Sequence, residues 1–305
     1  MMQIFRAIAD IRSVGASVVT VGTFDGVHLG HQAIIQQVKD FAANHSRQSA
    51  IVTFDPHPRK VLGKGPVTIL TTTAEKLDIF ADAGIDQVVV IPFSREFAAL
   101  SSEAFVTSVL VDKLTVREMV VGYDHHFGRN REGGFEALQQ LGRRHGFTVH
   151  QVPQLVNGGE AVSSTYIRQL LETGDVAKAA RFMGRRYCIE GIVKPGDGRG
   201  KQIGFPTANL ELSEADKQVP GRGVYAVDVE VDQQSYGGMM NIGIRPTFDF
   251  DYLTLEAHLF NFNDSLYEKK LKVRFKKFLR PEKKFSGIEE LRAQLKKDKQ
   301  MCEFI

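Results

Sequence analysis

His28 and His31 stand three residues apart across Gly30, in a loop that also holds Gly22, Phe24, Asp25 and Gly26. Imidazoles at that spacing can face the same oxygens, and glycines let the backbone approach a ligand closely. The chemistry this suits is stabilisation of charge building up on a phosphate in transit. The flanking residues say what must position the loop. Residues 18–21 are an apolar β-branched run that predicts a buried strand, while Ile34, Ile35, Val38 and Phe41 recur at helical spacing. The loop is then a strand-to-helix turn, where unpaired N–H groups and the positive end of the helix dipole favour an anion. The same residues also suit a plain helix cap carrying two ordinary histidines. Zinc is disfavoured, because no third ligand is near and neither Cys188 nor Cys302 lies close to the histidines in sequence.

The 305 residues, 43% hydrophobic and 25% charged, can bury a sizeable core and predict two domains. A net charge of +3 fits anionic small molecules without demanding nucleic acid. Two cysteines make no disulfide framework, no apolar run approaches the roughly 18 residues of a membrane span, and the first residues lack a signal-peptide core. The expectation is a protein of the reducing cytoplasm.

Past the first helix, residues 50–54 predict a second strand ending in the stiff loop Asp55-Pro56-His57-Pro58-Arg59, whose tip should sit beside the histidine loop. Thr72-Thr73-Ala74-Glu75 has capping-box form and opens a helix that Gly84 closes. Strands at 87–91 and 118–122 flank a helix over about 102–114. Such alternation implies a parallel sheet with ligands at its carboxyl edge. The loop of residues 122–134 leaves that edge and is rich in glycine and charge. It reads either as a flap clamping phosphate with Arg129 or Arg131, or as a solvated connection. Ser163, Ser164 and Thr165 can cap the next helix, and Arg168 one turn in opposes the dipole unless an anion sits between.

From Tyr187 short alternating runs separated by Gly, Pro, Asn and Asp predict a small antiparallel barrel. Within it, the stretch from Gly196 to Asn209 holds Gly198, Arg199, Gly200 and Lys201, which can wrap phosphates. Thr207 and Asn209, two apart on a strand, offer oxygens on one face for a hard cation. Residues 269–284 are dense in Lys and Arg with alternating Leu271, Val273 and Phe275, which predicts a basic edge strand resisting aggregation; the alternative is an RNA-binding face. Ser286-Gly287-Ile288-Glu289 has capping-box form, with Ile288, Leu291 and Leu295 expected against the barrel.

The ten residues 22–31, G-T-F-D-G-V-H-L-G-H, resemble the HxGH signature of the adenylyltransferases in the long form typical of bacterial FAD synthetases. S-S-T-Y-I-R at 163–168 matches a second motif of that family. G-F-P-T-A-N at 204–209, N-I-G-I-R-P-T-F at 241–248 and L-E-A-H-L-F at 255–260 are similar to the riboflavin kinase signature. Together they identify the chain as a member of the bacterial bifunctional riboflavin kinase and FAD synthetase family. The resemblance implies a Rossmann-like nucleotidyltransferase domain at 1–184 and a β-barrel kinase domain with a C-terminal helix at 185–305. It implies His28 and His31 as catalytic, with Gly22, Phe24, Asp25, Gly26, Ser163, Ser164, Thr165 and Arg168 on ATP, and His57 and Asp124 on flavin. In the kinase it implies Gly198, Gly200 and Lys201 on phosphate, Mg²⁺ on Thr207 and Asn209, and Glu256 as general base on the riboflavin 5′-hydroxyl. Its substrates and products would be riboflavin, FMN, FAD and ATP, with no nucleic acid and no membrane. Lys201 stands where many members have Arg, keeping the charge without the bidentate fork. An alternative keeps one activity only, an adenylyltransferase for another phosphorylated substrate with a degenerate C-terminal module.

Overall fold

The computed structural model describes all residues except 13, 14, 64, 66, 129–132, 197, 198 and 247–250. The chain divides into two compact units, Met1–Ser164 and Thr165–Ile305. The calls on Arg129, Arg131 and Gly198 lie outside the described residues, as does the side chain of Arg199.

In the first unit six strands form one parallel sheet: β1 (Gln3–Phe5), β2 (Ser17–Val21), β3 (Gln48–Asp55), β4 (Gln87–Pro92), β5 (Val116–Gly122) and β6 (Thr148–Val152). Their order is β1-β4-β3-β2-β5-β6, with every neighbouring pair parallel. The chain steps outward from β2 through β3 to β4, then resumes at β5 on the other side of β2. The crevice where the order reverses thus opens directly beyond β2. Strand periodicity separates the core into two faces. Val19, Val21, Val52, Val89, Met119 and Val121 pack against Phe105, Val109, Leu110, Leu138 and Leu141. Ile51, Val88 and Val90 meet Ile35, Leu77 and Phe80, and Val18 and Val120 meet Val38 and Ala42. Burial on both faces is why these strands read as continuous apolar runs.

The covering helices are α1 (Leu29–Asn44), the short turn α2 (Pro58–Val61), α3 (Thr73–Asp82), the turns α4 (Arg95–Ala98) and α5 (Ser102–Phe105), and α6 (Phe135–His145). Thr72 and Glu75 exchange both bonds of the expected capping box on α3. The helix expected over 102–114 is instead α5 followed by a wider π-turn at Val106–Val111, which still buries Val106, Val109 and Leu110. A small hairpin, β7 (Val156–Asn157) and β8 (Glu160–Ala161), precedes the end of the unit.

Toward the amino-terminal end of β5 the carboxylate of Glu118, 6% exposed, takes three partners. His45 Nδ1 and Arg47 Nη1 lie 2.7 and 2.5 Å from one oxygen, and His150 Nε2 lies 2.8 Å from the other. Glu118→Gln keeps the volume but removes the charge these groups share. It is expected to lower stability by about 1–3 kcal/mol, seen as a lower melting temperature with turnover per folded molecule unchanged.

The second unit begins with α7 (Ser164–Glu172) from Thr165 onward and α8 (Val176–Met183). A closed barrel follows, in the order β10-β13-β12-β11-β14-β9. Its strands are β9 (Cys188–Lys194), β10 (Ala208–Leu212), β11 (Gly223–Val231), β12 (Gln234–Pro246), β13 (Asp251–Leu259) and β14 (Lys270–Arg280). A four-residue helical turn, α9 (Arg199–Gln202), lies between β9 and β10, and α10 (Ile288–Glu303) ends the chain.

Two expectations change here. The basic strand β14 is not an edge, since it pairs with β11 and β9 in the closed barrel. Its cations meet carboxylates on those neighbours: Lys270 and Lys272 with Glu190, Arg274 with Glu230, and Lys276 with Asp228. Cross-strand pairing, which a linear sequence does not display, is the reason for its composition. The last helix is capped differently from its expected form: Glu290, not Glu289, accepts from the Ser286 N–H and hydroxyl. Ile288 is exposed, and the residue α10 buries completely is Asp298, which accepts from Arg280 Nε at 3.0 Å and from its Nη2 at 2.8 Å.

Candidate active sites

The histidine loop leaves β2 at the crevice and enters α1. His28 is the N-cap: its Nδ1 accepts from the His31 N–H at 3.3 Å. That bond leaves Nε2 as the N–H of a neutral His28 ring. The two imidazoles stack with centroids 3.7 Å apart and planes at 14°, and Phe24 meets His31 edge-on at 5.1 Å. The cap holds the ring pair at the helix start.

The other residues of the loop build its walls. Asp25, 3% exposed, accepts from the Leu70 and Thr71 amides at 2.8 and 3.1 Å, and the Gly26 N–H donates to Thr71 Oγ1 at 2.9 Å. Gly26 has φ +83°, and a Cβ there would stand 2.8 Å from Leu70 Cδ1, so glycine is required for this approach. The Phe24 ring is buried against Phe80. The Gly22 N–H donates to the Val52 carbonyl. Ser164 donates from its hydroxyl to the Asp25 carbonyl at 2.8 Å, joining the Ser-Ser-Thr motif to the loop. Thr165 and Arg168 lie on α7 in the second unit. His57 caps α2, accepting from the Arg59 N–H at 3.2 Å, and Asp124 is exposed on the loop after β5.

Sequence reasoning passed over Lys76, on α3. It is 6% exposed, and its ammonium lies 3.2 Å from the Thr23 carbonyl, 3.4 Å from Thr53 Oγ1 and 3.5 Å from the Phe54 carbonyl. Burial pulls its pKa below the usual lysine value, opposed by the charges of Asp25 and Asp55. Lys76 ties the histidine loop to the end of β3, a contact visible only once α3 is laid on the sheet. Also missed was a run of rings at the carboxyl edge. Phe54 lies 5.4 Å from Phe93, Phe93 5.7 Å from Phe97, Phe97 5.9 Å from Phe105, and Phe105 5.5 Å from Phe127.

In the barrel, Glu256 of β13 is paired in register with Asn209 of β10 on one side and Asn241 of β12 on the other. Residues directly opposite in antiparallel strands share a face with Cβ atoms about 4.5–5.5 Å apart. The row Asn209-Glu256-Asn241 is thus one polar strip, on the face opposite the buried Leu255, Ala257 and Leu259. Thr207, two residues before Asn209, is exposed. The expected glycine loop contains α9, and Lys201 upon it is exposed. A Cβ on Gly200 would stand 2.3 Å from the Phe205 carbonyl and 3.2 Å from Thr207 Oγ1, and one on Gly196 would stand 1.9 Å from Asn209 Nδ2. Glycine keeps open the space around both oxygen donors. A hydroxyl and an amide oxygen are hard, neutral ligands that suit Mg²⁺ when phosphates supply the charge.

The family model for FAD synthetase matches residues 11–166, and that for riboflavin kinase matches residues 183–305. The chain belongs to the bifunctional riboflavin kinase/FMN adenylyltransferase family. A relative of that name from Listeria monocytogenes is 40% identical, over 93% of this chain and 90% of its own. The relative from Escherichia coli K12 is 37% identical, over 97% and 96%. A solved structure from Streptococcus pneumoniae, described as a macrolide-efflux protein, is 29% identical, with a TM-score of 0.91 over 99% of this chain and 98% of that one. Among the described residues no helix is long and apolar enough to cross a membrane.

Expected from this geometry, Lys76→Met should slow FAD formation from FMN about 10²-fold, the effect of displacing a positioned group by about 1 Å. Riboflavin phosphorylation by the same preparation is the control and should not change.

Proposed function

We propose that the chain converts riboflavin to FMN in its C-terminal part and FMN to FAD in its N-terminal part, using one ATP in each step. The reading is supported by the histidine loop that leaves β2 at the sheet crevice and is held by Ser164, and by Asn209, Glu256 and Asn241 standing in register across the barrel. The functional division we propose lies between residues 184 and 185.

In the barrel, Glu256 takes the proton of the riboflavin 5′-hydroxyl as its oxygen attacks the γ-phosphorus of ATP, giving FMN and ADP. Thr207 and Asn209 would hold Mg²⁺, which when bound neutralises charge on the ATP phosphates. Asn241 and Asn209 flank Glu256 on the neighbouring strands, on the face that strand alternation gives its carboxylate. Lys201 and Gly200 approach the phosphates from α9.

At the crevice the FMN phosphate attacks the α-phosphorus of ATP, forming one P–O bond as the bond to pyrophosphate breaks. His28 and His31, with the first amides of α1, donate to the charge that builds there. Asp25, Gly26 and Ser164 hold the loop that carries these donors, while Gly22 and the Phe24 backbone line the nucleotide. The partly buried rings of Phe54, Phe93, Phe97 and Phe127, backed by the buried Phe105, supply an apolar ledge suited to a flavin ring, with His57 and Asp124 at its polar margin.

Incubation with riboflavin, ATP and Mg²⁺ should yield FMN and then FAD with release of pyrophosphate. FMN with ATP should yield FAD alone. Absence of either product from the cooperatively folded protein would refute the corresponding half of the reading.

A further inference from the structure

We propose that His258 is a positioning residue of the phosphorylation site, fixing the Pro206–Thr207 peptide so that the Thr207 hydroxyl is presented to the metal-bound nucleotide. The inference rests on the reading of Thr207 given above and extends it to a residue that touches no substrate.

His258 lies on β13 two residues beyond Glu256, on the same face of the strand. It is 8% exposed, and its Nδ1 stands 2.7 Å from the Pro206 carbonyl. A carbonyl can only accept, so Nδ1 carries the proton and donates. Holding the Pro206 carbonyl orients the whole peptide plane, whose far end is the Thr207 nitrogen. The ring is itself held, edge-on to Phe205 at 5.3 Å and to Phe260 at 5.6 Å. Lys299 of α10 lies over Phe260, 5.3 Å from its centroid. Burial is the main cause holding the His258 pKa below the usual imidazole value; the bond to Pro206 opposes it and the charge of Lys299 assists. The neutral ring with its proton on Nδ1 is thus the stable form. The segment is also tied to α9, where the Phe205 N–H donates to the Gly200 carbonyl at 2.9 Å.

Three substitutions separate this role from simple packing. His258→Leu removes the donor, His258→Asn keeps a donor near the place of Nδ1, and His258→Gln moves it toward the place of Nε2. Each is measured by Mg²⁺-dependent binding of ADP in calorimetry, and by the Mg²⁺ and ATP dependence of riboflavin phosphorylation. Loss of an outer partner of a metal ligand commonly costs about 10–100-fold, and that weakening is expected for Leu and Gln. The Asn variant should stay within about threefold of the parent, the scale of one imperfect hydrogen bond. The KM for riboflavin and the rate of FAD formation from FMN should not change.

Parent-like Mg²⁺·ADP binding in the Leu and Gln variants would overturn the proposal. So would an Asn variant as weak as Gln, since ring packing rather than donor placement would then be the cause. If the Leu variant does not fold, the Asn and Gln pair decides. Thr207→Ala is run in parallel: if it leaves Mg²⁺·ADP binding unchanged, the reading of Thr207 itself fails. If it weakens binding while the His258 variants do not, only the present inference fails.

Discussion

Glu256→Gln is expected to slow riboflavin phosphorylation about 10²–10⁴-fold, the usual contribution of a positioned general base. Glutamine keeps the length of the side chain and can still hydrogen bond within the strip of Asn209 and Asn241, but it cannot take the proton of the 5′-hydroxyl. Because the change conserves volume on a half-exposed strand position, the melting temperature should stay close to that of the parent. FAD formation from added FMN should continue unchanged, so the substitution separates the two activities in one intact protein. Intact phosphorylation in this variant would remove Glu256 from the mechanism. Loss of FAD synthesis in a protein that still melts cooperatively would show that the two reactions are not divided as proposed.

His31→Ala is expected to do the converse, slowing FAD formation about 10²–10³-fold, the cost of removing one donor to a transition-state charge. The ring of His31 stacks on His28 and touches Phe24, so the alanine also leaves His28 without its partner. The cap survives, because the bond to His28 Nδ1 comes from the backbone of residue 31 and not from its side chain. The loss should therefore appear in kcat more than in stability, with FMN production from riboflavin retained. Near-parental FAD formation would reduce the pair to a helix cap.

The strand-to-helix turn at 22–31 and the glycine-led entry into a strand at 204–209 were legible because each is written in a few consecutive residues, where glycine and a helix-capping side chain have one local job. The alternation of strands and helices before Tyr187, and of polar and apolar residues after it, likewise reads directly, since period and burial are linked along a single element. Glu256 was reachable only by resemblance: as a lone acid in an alternating strand it looks like any solvated position.

Lys76, His258 and the aromatic run were not legible, and the reason is common to all three. Each acts on a group far away in the sequence, Lys76 on Thr23, His258 on Pro206, Phe105 on Phe127, and no local pattern announces such a partner. The basic strand shows the same limit, since its positive charge looked like an edge until Glu190, Asp228 and Glu230 were found beside it.

By itself, then, the sequence determined the two textures of the chain, the helix-start histidines, the glycine-flanked hydroxyl and amide donors, and the family. Strand order, and with it the opening of the crevice directly beyond β2, was decided only in three dimensions, because parallel strands are joined by crossovers that leave their neighbours unspecified. The same holds for the register that lines up Asn209, Glu256 and Asn241: it depends on which strands become neighbours and on the turns that join them, and the residues of one strand specify neither.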